Sequence, residues 1–317
     1  MYDWQIEQRD YLNEMLAADK FPHALLFTGP DGTGKVEFAI DYAKKLLCPG
    51  EGQEACGQCH SCQVFAAGTH PDYTNVAPAE EGKMIGVDLI RELIVKLSTT
   101  SQFGHNTVAI IENAEQLNRN SANALLKTLE EPTSNTILIL VCSYPHRLLP
   151  TIRSRCLQLV FPTPNTESGI AYLQSHIIKD AELNLQLAHG SPLKAALMAE
   201  SDLSEQRKTV LKNLIKTSRG QAVSVAMKEM EKLPLKAVLE WCIDFCDDLI
   251  KVVAQGNQAK LTNIDVTEAI GNMASVCRPQ ELYHFRDLLI ERKKQSNIAL
   301  NTQLLLEDLL ILWKKAF

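Results

Sequence analysis

Three short apolar runs stand out in the first half of the chain: Ala24–Thr28, Thr107–Glu112 and Thr136–Cys142. Runs of this length, apolar at nearly every position, predict strands buried on both faces, as in a parallel sheet. Between them lie helical stretches at Gly34–Leu47, Val87–Leu97 and Ser121–Glu130. Strand and helix in alternation predict an open, doubly wound α/β domain. Beyond residue 165 the pattern changes to a 3.6-residue period, as at Leu235, Val238, Leu239, Cys242 and Phe245, which predicts helices alone. Breakers follow the same division: ten of the 13 prolines and ten of the 15 glycines precede residue 165. Pro162-Thr163-Pro164 is a natural end for the α/β domain, giving boundaries at 1–164, 165–204 and 205–317. The middle segment holds two or three short helices around a turn at Gly190-Ser191-Pro192, and the last is a larger helical domain.

Composition narrows the class. At 317 residues, 45% hydrophobic and 22% charged, the chain has the makeup of a globular protein of two or three domains. Its longest unbroken apolar run, Ile137–Cys142, is far short of the ~18 residues a bilayer span needs. The opening residues lack the basic and apolar regions of a signal peptide. A cytoplasmic protein without membrane contact is therefore expected. Net charge is −6; residues 1–164 carry 13 Lys and Arg against 19 Asp and Glu, and the remainder carries 19 of each. Such a balance does not suit a protein that grips DNA unaided, because that requires cations along the phosphates.

The first strand runs into Gly29-Pro30-Asp31-Gly32-Thr33-Gly34-Lys35-Val36 and then a helix. In such a loop, backbone N–H groups and the helix terminus cradle phosphate oxygens while a lysine supplies positive charge. Gly29, Gly34 and Lys35 fit the pattern G-x-x-x-x-G-K-[ST], with Gly32 between them, but Val36 stands where a hydroxyl would ligate Mg²⁺. The strand at 107–111 leads to Glu112-Asn113-Ala114-Glu115, where an active ATPase of this type would carry Asp-Glu. Glu112 is one methylene longer than the metal-holding Asp, and Asn113 cannot accept a proton from the attacking water. Glu115, from the next turn, is the only local substitute. Two defects in the same metal–water machinery predict that ATP and Mg²⁺ are not used in cis.

Four of the nine cysteines, Cys48, Cys56, Cys59 and Cys62, fall within fifteen residues among Pro49, Gly50, Gly52 and Gly57. Four thiolates at this spacing suit a closed, structural Zn²⁺ site; an iron–sulfur cluster and a disulfide pair are the alternatives. His60 and His70 lie nearby, but four sulfurs already complete a tetrahedral shell.

Two further segments carry recognition. Residues 121–132 read Ser-Ala-Asn-Ala-Leu-Leu-Lys-Thr-Leu-Glu-Glu-Pro, and residues 150–156 read Pro-Thr-Ile-Arg-Ser-Arg-Cys. With the loop at Gly29 and the thiol cluster, these resemble subunits of the bacterial DNA polymerase III clamp loaders, members of the AAA+ family. The likeness covers most of the first 200 residues. It is nearer to the family's non-hydrolysing member than to the tau/gamma ATPases, because the ATP-site residues are degraded while S-R-C is intact.

The resemblance implies an α/β P-loop AAA+ domain with an inserted four-cysteine zinc module at 48–62, then a small helical lid and an all-α C-terminal collar. Arg155 becomes a finger acting on ATP held by a neighbouring subunit; the other reading is a buried structural ion pair. Arg153 is read as a solvated charge. Ser143 and Lys194, the latter in Gly190-Ser191-Pro192-Leu193-Lys194-Ala195-Ala196-Leu197, correspond to the family's two nucleotide sensors, as working contacts or as relics. The implied partners are the tau/gamma and delta subunits in a hetero-pentameric ring, with the sliding clamp and primer–template DNA reached through that assembly. No polymerase carboxylate constellation is present, so any DNA-directed DNA polymerase activity belongs to the holoenzyme. The alternatives are an active DNA-stimulated ATPase, which intact Lys35 permits, and an unrelated P-loop scaffold or kinase-like enzyme.

Overall fold

The structure, a computed structural model, describes residues 1–80, 82–133, 135–295 and 301–317. The chain divides into two compact units, Met1–Ser168 and Gly169–Phe317.

The first unit is built on five parallel strands, β1 (Ala24–Thr28), β2 (Tyr73–Val76), β3 (Thr107–Ile111), β4 (Thr136–Cys142) and β5 (Leu157–Val160). They lie in the order β2-β3-β4-β1-β5. The helices of this unit are α1 (Ile6–Ala17), α2 (Lys35–Leu47), α3 (His60–Ala66), α4 (Val87–Leu97), α5 (Arg119–Glu130) and α6 (Pro150–Arg153). The three central strands are buried at every position, which is why their sequences read as continuous apolar runs. Alternate residues serve opposite faces. Leu25, Phe27, Val108, Ile110, Ile139 and Val141 pack with Phe38 and Tyr42 of α2. Leu26, Ala109, Ile111, Leu138 and Leu140 pack with residues of α4 and α5, among them Leu93 and Leu125.

The expected parallel α/β sheet is thus present, with two additions. Edge strands β2 and β5 are four residues each, mix polar with apolar positions, and were not expected from the pattern. The third strand ends at Ile111 rather than Glu112, and the helix expected from Ser121 begins at Arg119, because the Asn118 side chain accepts the Ser121 N–H at 2.8 Å as its N-cap.

Among the described residues the second unit is all helix: α7 (Thr166–Ser175, entered from the first unit), α8 (Ala181–Leu187), α9 (Pro192–Glu200), α10 (Leu203–Ser218), α11 (Val223–Met230), α12 (Leu235–Gln255), α13 (Thr267–Ala274), α14 (Pro279–Gln295) and α15 (Thr302–Lys315). It holds two apolar clusters. Leu173, Leu185, Ala195 and Met198 form the smaller, within α7 to α9. The larger joins α10 to α15 around Leu214, Phe245, Phe285 and Trp313. Trp313 is fully buried, and its indole N–H donates to the Leu214 carbonyl at 2.9 Å, satisfying the one polar group the ring brings inside. On α15 the apolar stripe is only partly core: Leu305, Leu309 and Trp313 are buried, whereas Leu304 and Ile311 are exposed. Among the described residues, no helix is long and apolar enough to cross a membrane.

Candidate functional site

The loop after β1 lies at the carboxyl end of the parallel strands, where α/β sheets bind ligands. Its backbone depends on glycine. Gly29 has φ +149°, and a Cβ there would lie 2.0 Å from the Phe161 carbonyl oxygen; Gly34 has φ +83°, and a Cβ would meet the Tyr2 ring at 2.6 Å. The start of the chain straps this loop: Trp4 Nε1 donates to the Thr33 carbonyl at 3.0 Å, and Gln5 Nε2 donates to the carbonyls of Thr33 and Gly34 at 3.0 and 2.8 Å.

Lys35 is buried, and its ammonium donates back to the Pro30 carbonyl at 2.7 Å. Burial lowers its pKa below the ordinary lysine value, opposed by the carboxylates of Asp31 and Glu115. The Ser143 hydroxyl donates to Asp31, while the Ser143 backbone N–H points at both Glu115 carboxylate oxygens, at 3.2 and 3.3 Å. Lys35, Asp31, Glu115 and Ser143 therefore form one polar cluster at the ends of β1 and β4. Val36 is half-buried against the core around Phe27 and Phe38.

The other acidic position is directed elsewhere. Glu112 accepts from Asn75 Nδ2 of β2 at 2.6 Å, and Asn113 sits in the left-handed region at φ 48°. Of Glu112 and Glu115, only Glu115 joins Asp31 in opposing the lowered pKa of Lys35. Lys194 lies in α9 of the second unit, 3.7 Å from Glu240 of α12.

Arg155 is exposed. Its Nη2 pairs with Glu130 at 2.6 Å, and its Nη1 donates to the Thr151 carbonyl at 3.0 Å and, more weakly, to Ser154 Oγ at 3.5 Å. The geometry links the two recognised segments, since Glu130 belongs to Leu-Glu-Glu-Pro and Arg155 to Ser-Arg-Cys. Cys156, next to it, is pushed up to about 12 by burial and stays a thiol. Arg153 is exposed, with its Nη1 donating to the Pro145 carbonyl at 3.3 Å.

The four cysteines converge. Sγ atoms of Cys48 and Cys59 are 3.8 Å apart, those of Cys56 and Cys62 are 4.0 Å apart, and all four lie within 4.8 Å of one another. A tetrahedron with ~2.3 Å metal–sulfur arms has edges of about 3.8 Å, so these side chains fit a single metal such as zinc. Backbone N–H groups of Gly50 and Cys56 donate to Cys48 Sγ, that of Cys59 to Cys56 Sγ and that of Cys62 to Cys59 Sγ, each at 3.4 Å. Such bonds favour thiolate: Cys56 is pulled down to about 6, chiefly by the N–H groups of Gln58 and Cys59. Burial pushes Cys62 up to about 12. A bound metal would supply a cross-link there, not an open coordination site.

A buried brace supports the cluster. The Asp72 N–H donates to His70 Nδ1 at 3.2 Å, which fixes the proton on Nε2. Nε2 then donates to Ser61 Oγ at 3.0 Å, and the Ser61 hydroxyl donates to the Leu47 carbonyl at 2.8 Å. The chain of bonds ties the residue before Cys48 to the helix turn bearing Cys62. Burial holds the His70 imidazole below its ordinary range, against the nearby Asp72 charge, and so preserves the Nδ1 lone pair. His70 is a positioning residue here; its ring nitrogens are already used. Sequence reasoning missed Ser61, Glu130 and Asp31, each an ordinary polar residue whose partner lies far along the chain or on another element.

Comparison with known proteins gives these features a common origin. A family model described as "DNA polymerase III, delta subunit" matches residues 4–165, and one described as "DNA polymerase III, delta subunit, C terminal" matches residues 201–315. The chain is 35% identical over 321 residues to the DNA polymerase III subunit delta' of Pseudomonas aeruginosa, covering 99% of this chain and 97% of that one. It is 32% identical to the subunit delta' of Escherichia coli, covering 98% and 94%. A solved structure of a DNA polymerase III gamma subunit-related protein from Thermotoga maritima shares the fold, with a TM-score of 0.50 at 18% identity over 98% of this chain and 99% of that chain. With this level of identity along its whole length, and with both units matched, the chain belongs to the DNA polymerase III delta' subunit family.

Proposed function

We propose that this clamp-loader subunit serves DNA replication without hydrolysing ATP itself, by presenting Arg155 to ATP bound on a neighbouring subunit. The observation that carries the reading is the exposure of Arg155, whose guanidinium is held by one surface carboxylate and by its own helical turn. A planar, permanently charged fork suits the charge that develops on a transferring phosphoryl group, and in other NTPases such an arginine is worth ~10³–10⁵ in rate.

Loss of chemistry in cis supports the same reading. Val36 offers no metal ligand and packs against the core; Glu112 is engaged by Asn75; Asn113 cannot act as a base. The phosphate loop of Gly29, Gly32, Gly34 and Lys35 keeps its shape, but Asp31 and Glu115 already balance the lysine, so incoming phosphates compete with resident carboxylates. Ser143 and Lys194 each have an acidic partner, Asp31 and Glu240.

In this reading residues 1–164 form the P-loop domain, 165–204 the lid and 205–317 the collar, in keeping with the separate apolar clusters of α7–α9 and α10–α15. Zinc on Cys48, Cys56, Cys59 and Cys62 is structural. The partners are the tau/gamma and delta subunits of a hetero-pentameric ring, which engages the sliding clamp and primed DNA in the cytoplasm. The test is ATP turnover by the reconstituted loader with clamp and primed DNA: Arg155→Ala should reduce it by orders of magnitude, and unchanged turnover refutes the finger. Turnover by the purified chain alone, abolished by Lys35→Ala, would instead make it an ATPase subunit.

A further inference from the structure

The even charge balance of the second half conceals a local concentration. Residues 165–317 hold 19 cations and 19 anions. Yet Lys208, Lys212 and Lys216 follow one another at four-residue spacing along α10, and Arg219 caps its end. At that spacing they share one face of the helix, and all four are exposed. Lys208 is paired with Glu205 at 2.6 Å. Lys212, Lys216 and Arg219 have no ion-pair partner among the described residues. Asp265, which also lines the groove beside the row, is committed to buried Arg207 through two bonds of 2.8 and 2.9 Å.

Alongside the row lies a groove of about 300 Å³ with Leu211, Ile215 and Val266 among its walls. Like charges at i,i+4 destabilise a helix, and α10 carries two such steps, 208/212 and 212/216, with a single acid to offset them. A cationic row kept at a cost to the helix, beside an apolar groove, has the chemistry of a recognition surface.

We propose that this face of α10 docks an acidic, extended peptide segment of a partner protein, with an apolar side chain seated in the groove. Successive lysines rise ~6 Å along the helix axis, four residues at ~1.5 Å each. Alternate residues of an extended peptide repeat at ~6.6 Å. Carboxylates at alternate positions therefore keep step with the lysines and leave the intervening side chains on the edge facing Leu211 and Ile215. A duplex nucleic acid would meet the cations with its phosphates but keeps its base faces stacked inside, away from an apolar wall.

The test uses the full chain and a fluorescein-labelled peptide, Asp-Leu-Asp-Phe-Asp-Leu, followed by anisotropy. Binding is expected to weaken about tenfold or more in Lys212→Glu/Lys216→Glu and to fall with added salt, because the charges steer and hold the segment. A version with serine at the apolar positions should bind several-fold more weakly. Both lysines are exposed, so the variant should melt as the wild type does; if it does not, Lys212→Gln/Lys216→Gln replaces it. No binding by the wild-type chain at ~1 mM peptide overturns the proposal. Equal affinity for the serine version also overturns it, as a pure charge effect. A short single-stranded oligonucleotide that displaces the peptide at lower concentration than the peptide itself, through the same lysines, reassigns the surface to nucleic acid.

Discussion

Replacing Arg155 by alanine asks whether that side chain is held for stability or kept for a partner. Its ion pair with Glu130, at 2.6 Å, joins side chains that are 35% and 49% exposed. Water screens charges at that exposure, and such pairs contribute about 0.2–1 kcal/mol. The remaining contacts, to Thr151 and Ser154, stay within one turn and exchange readily with water. Arg155→Ala should therefore cost ~1 kcal/mol or less. Arg207 provides the contrast inside the same molecule. It is 1% exposed, is bidentate to Asp265, and reaches Asn263 Oδ1 through Nε and Nη2 at 3.2 and 2.6 Å. Asp265 keeps access to water, but removing Arg207 leaves the buried Asn263 Oδ1 without its donors, so Arg207→Ala should cost ~1–3 kcal/mol. Urea unfolding followed by circular dichroism, with separate transitions fitted separately, measures both variants. If Arg155→Ala loses as much stability as Arg207→Ala, Arg155 is a structural pin and the argument from its exposure fails.

Other outcomes follow from the thiol cluster and its surroundings. Cys59→Ser should lower zinc content and melting temperature together; a metal-free wild-type protein that melts like the zinc-loaded one would refute a structural role for the ion. Ser61→Ala breaks the brace to Leu47 without touching a sulfur, and should speed zinc loss to a chelator roughly tenfold, the size of effect seen when groups behind metal ligands are removed. Ser61→Thr, which keeps the hydroxyl, should restore slow release, and equal rates in all three proteins would exclude the brace. Burial pushes the Asp72 carboxyl upward, but the N–H groups of Gln102 and Phe103 and the Ser101 hydroxyl outweigh it and hold the pKa below the ordinary carboxylate value. Its stabilisation is therefore full above the unfolded value of ~3.9 and lost as pH falls through the lower folded value. Acid unfolding titrations should show this loss in the wild type and a shallower one in Asp72→Asn; identical profiles would remove Asp72 from the account.

The sheet was legible where burial was complete. Strands β1, β3 and β4 are enclosed on both sides, so every residue from Leu25 to Phe27 or Ile137 to Val141 is apolar and the pattern is unmistakable. Edge strands β2 and β5 left a weak signal because they pair on one side only, and Asn75 and Gln158 use their side chains for bonds to Glu112 and Thr28. The thiol cluster was legible because four cysteines in fifteen residues are rare and their chemistry is specific. Its brace was not, because Ser61, His70 and Asp72 acquire meaning only once α3 is laid against the end of α2. The partner of Arg155 was hidden for a similar reason: Glu130 lies 25 residues earlier, on another helix, and no periodicity links them.

On the proposed reading, the phosphate loop is a motif that outlasts its chemistry. Gly29 lies against the Phe161 carbonyl, a contact that any side chain would break, and this requirement concerns the path of the chain after β5, not a nucleotide. Gly34 admits the Tyr2 ring, and the carbonyls of Thr33 and Gly34 receive Trp4 and Gln5. Lys35 secures the loop by donating to Pro30, which keeps its buried ammonium hydrogen-bonded. Glycines and lysine therefore have packing and hydrogen-bonding roles that hold without phosphate. Val36 and Asn113 occupy the positions whose value in an ATPase comes from metal and water, and packing sets no demand for a hydroxyl or an acid there. A loop freed from hydrolysis but still framing β1 and α2 would drift at those two positions and keep the others. On the proposed reading, turnover in the assembly then depends on a group that packing also does not require: the exposed guanidinium of Arg155.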